Sequence, residues 1–454
     1  MTANRLLRNY LTARYLDARL TEQPALLLGA PGSGLPAVTV HPESAFQRIL
    51  GFGGAFTEAA AVTWQRLDTR RREEFLEAYF APGGHGYALC RVHMGSCDFA
   101  LGNYAHADLP GDSALTSFTI ERDLAALIPF IKAAQRVAQA PLRLLASPWS
   151  PPAWMKSNGQ MNGGGRLLPE HRRTWARCYV RFIEAYALQG IPIWGVSVQN
   201  EPDAVQRWDS CLYSATEERD FVRDFLGPEL EAAGLGDIKI VIWDHNRDLM
   251  VERAAVVYGD PAAARYVWGT GFHWYGEDQF DHVQQVHDAW PDKALLFTEG
   301  CQEGGPHHGS WELGERYARS MINDLNRWTV GWIDWNLLLD QEGGPNHVGN
   351  YCSAPILADT RSGELLRQSS YYYLGHFARH VPPGSRRLLC ASTSQSLEAT
   401  AFMAPDGTVA VVVLNRTEHE QRYALRIDAQ EAVVTLPPRA IATYTRAAAV
   451  TSSG

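Results

Sequence analysis

Eight short runs of Val, Ile, Leu and aromatic residues recur along the first three quarters of the chain, at 49–56, 87–93, 142–148, 193–199, 238–243, 267–274, 294–298 and 331–337. Amphipathic stretches lie between them, at 124–138, 172–188, 217–226 and 311–328; the second (RRTWARCYVRFIEAYAL) has the clearest helical spacing. A run apolar on both faces reads as a strand covered on both sides, and alternation with helices makes neighbouring strands parallel. Eight repeats predict an α/β chain closed as a (β/α)8 TIM barrel. The first run, with Gly51, Gly53 and Gly54, is the weakest strand. Its GFGG string lacks the GxGxxG spacing of a phosphate loop and reads as a tight turn.

Past about Leu374 the texture changes. Short alternating runs at 397–401, 409–414, 421–427, 431–435 and 440–444 are separated by turns such as Pro405-Asp406-Gly407, which predicts antiparallel strands. About 75 residues are few for a complete sandwich. Segments 15–20 and 37–40 are therefore expected to supply missing strands. The expected organisation is a barrel over 45–375 and an antiparallel β-sandwich from both chain ends, 10–44 plus 376–448, with residues 451–454 frayed.

Charge and cysteine usage narrow the function. Forty-one basic against fifty acidic residues give a net charge of −9, and no run of five basic residues occurs, so nucleic acid is not an expected partner. No stretch approaches the roughly 18 apolar residues of a spanning helix, which excludes stable membrane insertion. Seven cysteines without a close CxxC pair read as free thiols in a reducing compartment. With no apolar leader after Met1, a cytoplasmic location is expected. Asn415-Arg-Thr417 fits a glycosylation acceptor and is taken as a chance match. Oligomeric state is not legible.

In a (β/α)8 barrel the site lies at the C-terminal ends of the strands. The polar residues ending the eight runs are Glu58; His93 and Asp98; Trp149; Asn200 and Glu201; Asp244 and His245; His273 and Tyr275; Glu299; and Asp334, Trp335 and Asn336. Glu201 follows run four in VQNEP, and Glu299 ends run seven in LFTEG. Two carboxyl groups facing one cavity suit glycoside hydrolysis, one protonating the departing oxygen and the other attacking the anomeric carbon or activating water. Mutual repulsion is expected to hold Glu201 protonated at rest. Two rivals stand beside this reading. One is a metallohydrolase using His93, His245, His273 and Asp244, whose spacing matches no metal motif. The other is a non-catalytic carbohydrate-binding protein with Trp149 and Trp335 as platforms.

Longer strings narrow the choice. GFGGAFTEAAA (51–61), SCDFALGNYAHAD (96–108), LLASPWSPPAWMKSNGQMNGGG (144–165), VSVQNEP (196–202), GFHWY (271–275), GWIDWNLLLDQEGGPN (331–346) and YYYLGHFARHVPPGS (371–385) together resemble glycoside hydrolase family 30, in particular its β-glucosylceramidases. The resemblance covers about residues 12 to 446. It implies a barrel with an attached β-sandwich and a retaining mechanism with neither metal nor organic cofactor. By matching position it implies Glu201 as acid/base, Glu299 as nucleophile and Asn200 on the sugar 2-hydroxyl. It places Glu58, Trp149, Trp335 and Asn350 around a glucose subsite, and Tyr275 beside Glu299. His273 is expected to hydrogen-bond near the sugar. The implied substrate is a small glycoside or glycolipid carrying a terminal β-D-glucosyl group. A β-xylosidase, a β-fucosidase or an endo-β-1,6-glucanase of the same family is the alternative. The chain departs from the family at Glu58, where those relatives carry Asp, in the missing cysteine-rich N-terminal strap, and in the shorter loop 203–210, where Trp208 is expected to replace an aromatic wall.

Overall fold

The computed structural model describes residues 5–138 and 140–448; residues 451–454 lie outside them. The eight expected strands form as β1 (Gly51–Phe56), β2 (Leu89–Met94), β3 (Arg143–Pro148), β4 (Ile193–Ser197), β5 (Lys239–Asn246), β6 (Val267–His273), β7 (Ala294–Glu299) and β8 (Thr329–Asn336). Each pairs in parallel with the next, and β8 pairs with β1 to close the barrel. Outer helices cover it. Helix Arg172–Leu188 spans the stretch its spacing predicts and turns Trp175, Tyr179, Phe182, Ile183 and Tyr186 inward.

The barrel floor is a plug of Leu89, Leu145, Val241, Leu296 and Ile333. Side chains alternate along a strand, so the next inward position lies two residues further on. On β2, β3 and β8 those positions are Arg91, Ser147 and Trp335, and the plug therefore gives way to a polar layer just below the mouth. The glycines of β1 correct the turn expected at GFGG. They lie in a fully buried strand, and a Cβ on Gly53 would come within 1.7 Å of the Leu89 carbonyl oxygen. Close approach of β1 to β2 is what demands glycine there.

The chain ends meet in one nine-stranded sheet, ordered Gln430–Leu436, Gln421–Ile427, Ala37–Arg48, Arg386–Ser392, Leu397–Met403, Val409–Asn415, Ala440–Arg446, Leu6–Ala13 and Ala18–Leu27. Ala37–Arg48 and Gln421–Ile427 pair in parallel; the other pairs are antiparallel. Tyr423 and Tyr444 sit on strands five places apart in this order, yet the Tyr423 hydroxyl donates to the Tyr444 hydroxyl at 3.1 Å. The sheet thus folds over on itself and encloses its own apolar core, including Leu7, Val411 and Leu425. Asn415 is fully buried and its amide donates to the His419 and Pro437 carbonyls, which leaves no acceptor exposed for glycosylation. All seven cysteines are free thiols, and among the described residues no helix is long and apolar enough to cross a membrane.

Candidate active site

At the C-terminal mouth of the barrel lies a cavity of about 140 Å³, and Glu201, Glu299, Asn200, Trp149, Trp208, Tyr275, Trp335 and Asn350 all line it. Asp98, Glu303, Cys301 and Cys352 complete much of the wall. A larger hollow of about 610 Å³, bordered by Glu74 and Arg367, lies away from the strand ends and contains none of the strand-end carboxylates.

Glu299 ends β7. Its Oε1 accepts from the Tyr275 hydroxyl at 2.8 Å, and its Oε2 accepts from Arg91. Glu201 follows β4 with φ of 48°, its N–H donating to the Asp244 carbonyl at 3.0 Å. A non-glycine residue there costs about 1–3 kcal/mol, a strain that collects at functional sites. Asp244 shares the trait, with φ of 54° beside a bulge in β5. One carboxylate oxygen of Glu201, one of Glu299 and a ring nitrogen of His273 all lie within 4.8 Å of one another.

Arg91 organises the floor of the site and was not among the residues the sequence pointed to. It is fully buried; its Nε donates to Ser147 Oγ at 2.9 Å, and its Nη2 donates to Asn200 Oδ1 at 2.9 Å and to Asp244 Oδ2 at 2.7 Å. Its guanidinium lies 4.7 Å from the Trp149 ring centroid, and Trp149 stacks on Trp335 at 5.0 Å. The one signal in the sequence is a charged residue in the middle of an otherwise apolar run. Behind Glu201, His273 bridges Glu201 Oε1 at 3.3 Å and Asp244 Oδ1 at 3.0 Å. It is completely buried beneath the cavity wall, so it contacts the glutamate and not the sugar space.

These contacts set the charges. Burial opposes an imidazolium, but the Glu299 charge and the Asp244 and Glu201 contacts outweigh it and lift His273 to about 9. Burial also favours a neutral Glu201, yet the His273 contact holds its carboxyl below the usual range. Glu299 is raised, chiefly by burial and against the pull of His273 and Arg91. This runs against the expectation that Glu299 keeps Glu201 protonated, since the His273 contact favours the Glu201 carboxylate. Asp98 has no cation, and burial raises it to about 7 despite the Asn350 amide donating at 3.0 Å.

Two expectations need correction. Glu58 does not reach the cavity. It opens helix Glu58–Arg66, its carboxylate is gripped by Arg122 at 2.9 and 3.0 Å, and it accepts from the Leu101 N–H at 2.7 Å. The carboxyl group that does line the wall beside Asn350 is Asp98. The metallohydrolase alternative finds its groups already engaged: His93 lies apart, spent on the Glu58 N–H and the Gly95 carbonyl, and Asp244 is spent on Arg91 and His273. Near Glu299 the Arg91 guanidinium already supplies the positive charge a metal ion would bring.

A parallel barrel whose strand ends aim two glutamates into one small cavity defines a glycoside hydrolase. The chain belongs to glycoside hydrolase family 30: residues 49–381 match the glycosyl hydrolase family 30 TIM-barrel domain, and residues 384–444 match the family 30 beta sandwich domain. It is 38% identical over 431 residues to lysosomal acid glucosylceramidase of Mus musculus, covering 90% of this chain and 83% of that protein. The crystal structure of SrfJ from Salmonella typhimurium superposes with a TM-score of 0.94 at 40% identity, covering 98% of this chain and all of that one. An endo-β1,6-glucanase structure matches with a TM-score of 0.88 at 27% identity, over 98% of this chain and all of its own.

Proposed function

We propose that this protein is a retaining β-glucosidase that releases a terminal β-D-glucosyl group from a glucosylceramide-like, alkyl or aryl glucoside. The observation that carries this reading is the approach of the Glu201 and Glu299 carboxylate oxygens to within 4.8 Å. Retaining glycosidases hold their carboxyl groups about 5–5.5 Å apart, whereas inverting ones need about 6.5–9.5 Å to admit a water. Glu299, fixed by Arg91 and Tyr275, attacks the anomeric carbon as Glu201 protonates the departing oxygen. A glucosyl ester forms on Glu299. Glu201 then deprotonates water, which displaces the ester. Asn200, held by Arg91, is placed for the sugar 2-hydroxyl, whose hydrogen bond strengthens in the oxocarbenium-like transition state. The stacked Trp149 and Trp335 offer apolar faces to sugar C–H groups.

Glucose as the sugar, and ceramide as one aglycone, rest on likeness to the mouse glucosylceramidase. The endo-β1,6-glucanase likeness supports a second reading, cleavage within a β-1,6-glucan. The cavity favours the first. At about 140 Å³ it is well below the roughly 300 Å³ where ligand pockets usually begin, a size suited to one sugar ring. The test is a panel of octyl β-glucoside, glucosylceramide, aryl β-xyloside, aryl β-fucoside and β-1,6-glucan, with the first-formed anomer followed by NMR. Retained β-glucose from the glucosides is expected. An inverted anomer refutes double displacement, and preferred cleavage of the glucan replaces the glucosidase reading. A 2-fluoro glucoside should label Glu299, and EDTA should leave the rate unchanged.

A further inference from the structure

We propose that His273 is a positioning residue that stores the proton Glu201 delivers: at rest the proton sits on His273 Nδ1, and it passes to Glu201 as the glycosidic bond breaks. The inference rests on the glycosidase reading above and assigns a proton source to it.

Geometry fixes the proton count. Asp244 accepts from Arg91 at 2.7 Å and is held as a carboxylate, so the His273 nitrogen 3.0 Å from it must carry a hydrogen. That nitrogen is Nε2. The other, Nδ1, faces Glu201 Oε1 at 3.3 Å. A carboxylate oxygen and an imidazole lone pair cannot share that contact without a proton between them. The Nδ1–Oε1 pair therefore holds one proton, either as imidazolium and carboxylate or as imidazole and carboxylic acid. The surrounding charges choose the first form. Glu201 and Asp244 touch the ring, and Glu299 on β7 faces it without a direct bond. His245 on β5 has its ring 6.3 Å away, and Tyr275 lies 5.9 Å away, past the end of the histidine's own strand. Arg91 on β2 meets the histidine only through Asp244. Burial excludes water from the ring, so the proton has no other place to go.

The cycle balances. In the first half, the proton moves from Nδ1 to Glu201 and on to the leaving oxygen while Glu299 bonds to the anomeric carbon. His273 then keeps only its Nε2 hydrogen. In the second half, a water proton passes through Glu201 back to Nδ1, the water oxygen bonds to the anomeric carbon, and the ester electron pair returns to Glu299.

The test compares wild type with His273→Gln on two substrates, 2,4-dinitrophenyl β-glucoside, whose leaving group needs no acid, and octyl β-glucoside, whose leaving group does. General-acid help is worth about 10²–10⁴-fold. The variant is expected to lose at least a hundredfold in kcat/KM on the octyl substrate and less than about fivefold on the dinitrophenyl one. The alkaline limb of its pH profile should move to lower pH. Equal losses on both substrates overturn the proposal and leave His273 a packing role. A wild type inactive on both substrates refutes the glycosidase reading instead. Should the variant fail to fold, nitrogen-15 NMR of histidine-labelled wild type decides: one ring must remain mostly imidazolium at pH 8, consistent with the lift of His273 to about 9. If every ring is neutral there, the proposal falls.

Discussion

Replacing Arg91 is the sharpest test of how the site is held together. The side chain is completely buried and donates to Ser147, Asn200, Asp244 and Glu299. Arg91→Met removes the cation between two buried carboxylates. Breaking a buried ion pair costs about 3–5 kcal/mol, because the remaining charge has lost its partner. Asp244 keeps His273 and Glu299 keeps Tyr275, so a total near 4 kcal/mol is more reasonable than the sum of two broken pairs. At about 2–4 °C per kcal/mol for a large domain, Tm should fall by roughly 8–16 °C. Arg91→Lys keeps the charge but loses the planar fork. Dropping the neutral bonds to Ser147 and Asn200 costs about 1 kcal/mol each, or roughly 4–8 °C. Both variants release Glu299 from a fixed position, and a displacement of about 1 Å is worth roughly a hundredfold in rate. Differential scanning calorimetry and single-turnover labelling by a 2-fluoro glucoside measure the two effects separately. A Met variant melting within about 2 °C of wild type, or Lys and Met variants with equal losses, would refute the argument that a delocalised buried charge organises the floor.

Other perturbations test separate parts of the structure. Burial raises Asp334 to about 8, against the Tyr317 hydroxyl that donates to it at 2.6 Å. The folded state therefore binds more protons than the unfolded one between about pH 4 and 8, and stability falls as pH rises through that window; urea melts of Asp334→Asn should gain on wild type progressively from pH 5 to 8. Glu58→Gln should cost about 1 kcal/mol of stability through the half-exposed Arg122 pair and leave KM for octyl β-glucoside unchanged, whereas a large KM rise would return Glu58 to the sugar site. Trp208→Ala should raise KM for octyl β-glucoside about fivefold, from about 1 kcal/mol of lost apolar contact, while KM for methyl β-glucoside stays level.

The barrel was legible because its parallel strands are covered on both faces, so each reads as an apolar run whose end is marked by the first polar residue. That rule finds Glu201, Asn200, Tyr275, Glu299 and Trp335. It misses Arg91, which lies within a run instead of at its end. It marks both Glu58 and Asp98, carboxyls that each follow a strand, without telling them apart, and the family resemblance places Glu58 at the sugar where the structure puts Asp98. The difference is what the chain does next. After β1 it caps a helix on Thr57, whose side chain accepts from the Ala60 N–H, and the first helical turn carries Glu58 toward Arg122. After β2 it turns at Gly95, with φ of 73°, into a loop that lays Asp98 over the mouth. In the sandwich, the strands Leu6–Ala13 and Arg386–Ser392 went unseen because Arg8, Asn9, Arg386 and Arg387 interrupt the apolar alternation. The three short strands Leu339–Asp340, Ile356–Asp359 and Glu364–Arg367 are too brief for any period to register.

Charge counting ties the remaining observations together. Of the five carboxyl groups on the floor and wall of the cavity, Glu303 is exposed, while Asp98, Glu201, Asp244 and Glu299 are set deeper and share two cations, Arg91 and His273. Four buried negative charges cannot be held by two positive ones at such distances, so protons must make up part of the difference. The contacts say where. Asp244 touches both cations and stays ionised. Glu201 has its proton one hydrogen bond away on His273. Asp98, which has amide partners and no cation, is the group that takes up a proton near neutrality. A site balanced in this way keeps a proton beside the leaving group and a carboxylate beneath the anomeric carbon, both ready before substrate arrives. It does so with side chains from β2, β4, β5, β6 and β7, which only a closed barrel brings to one point.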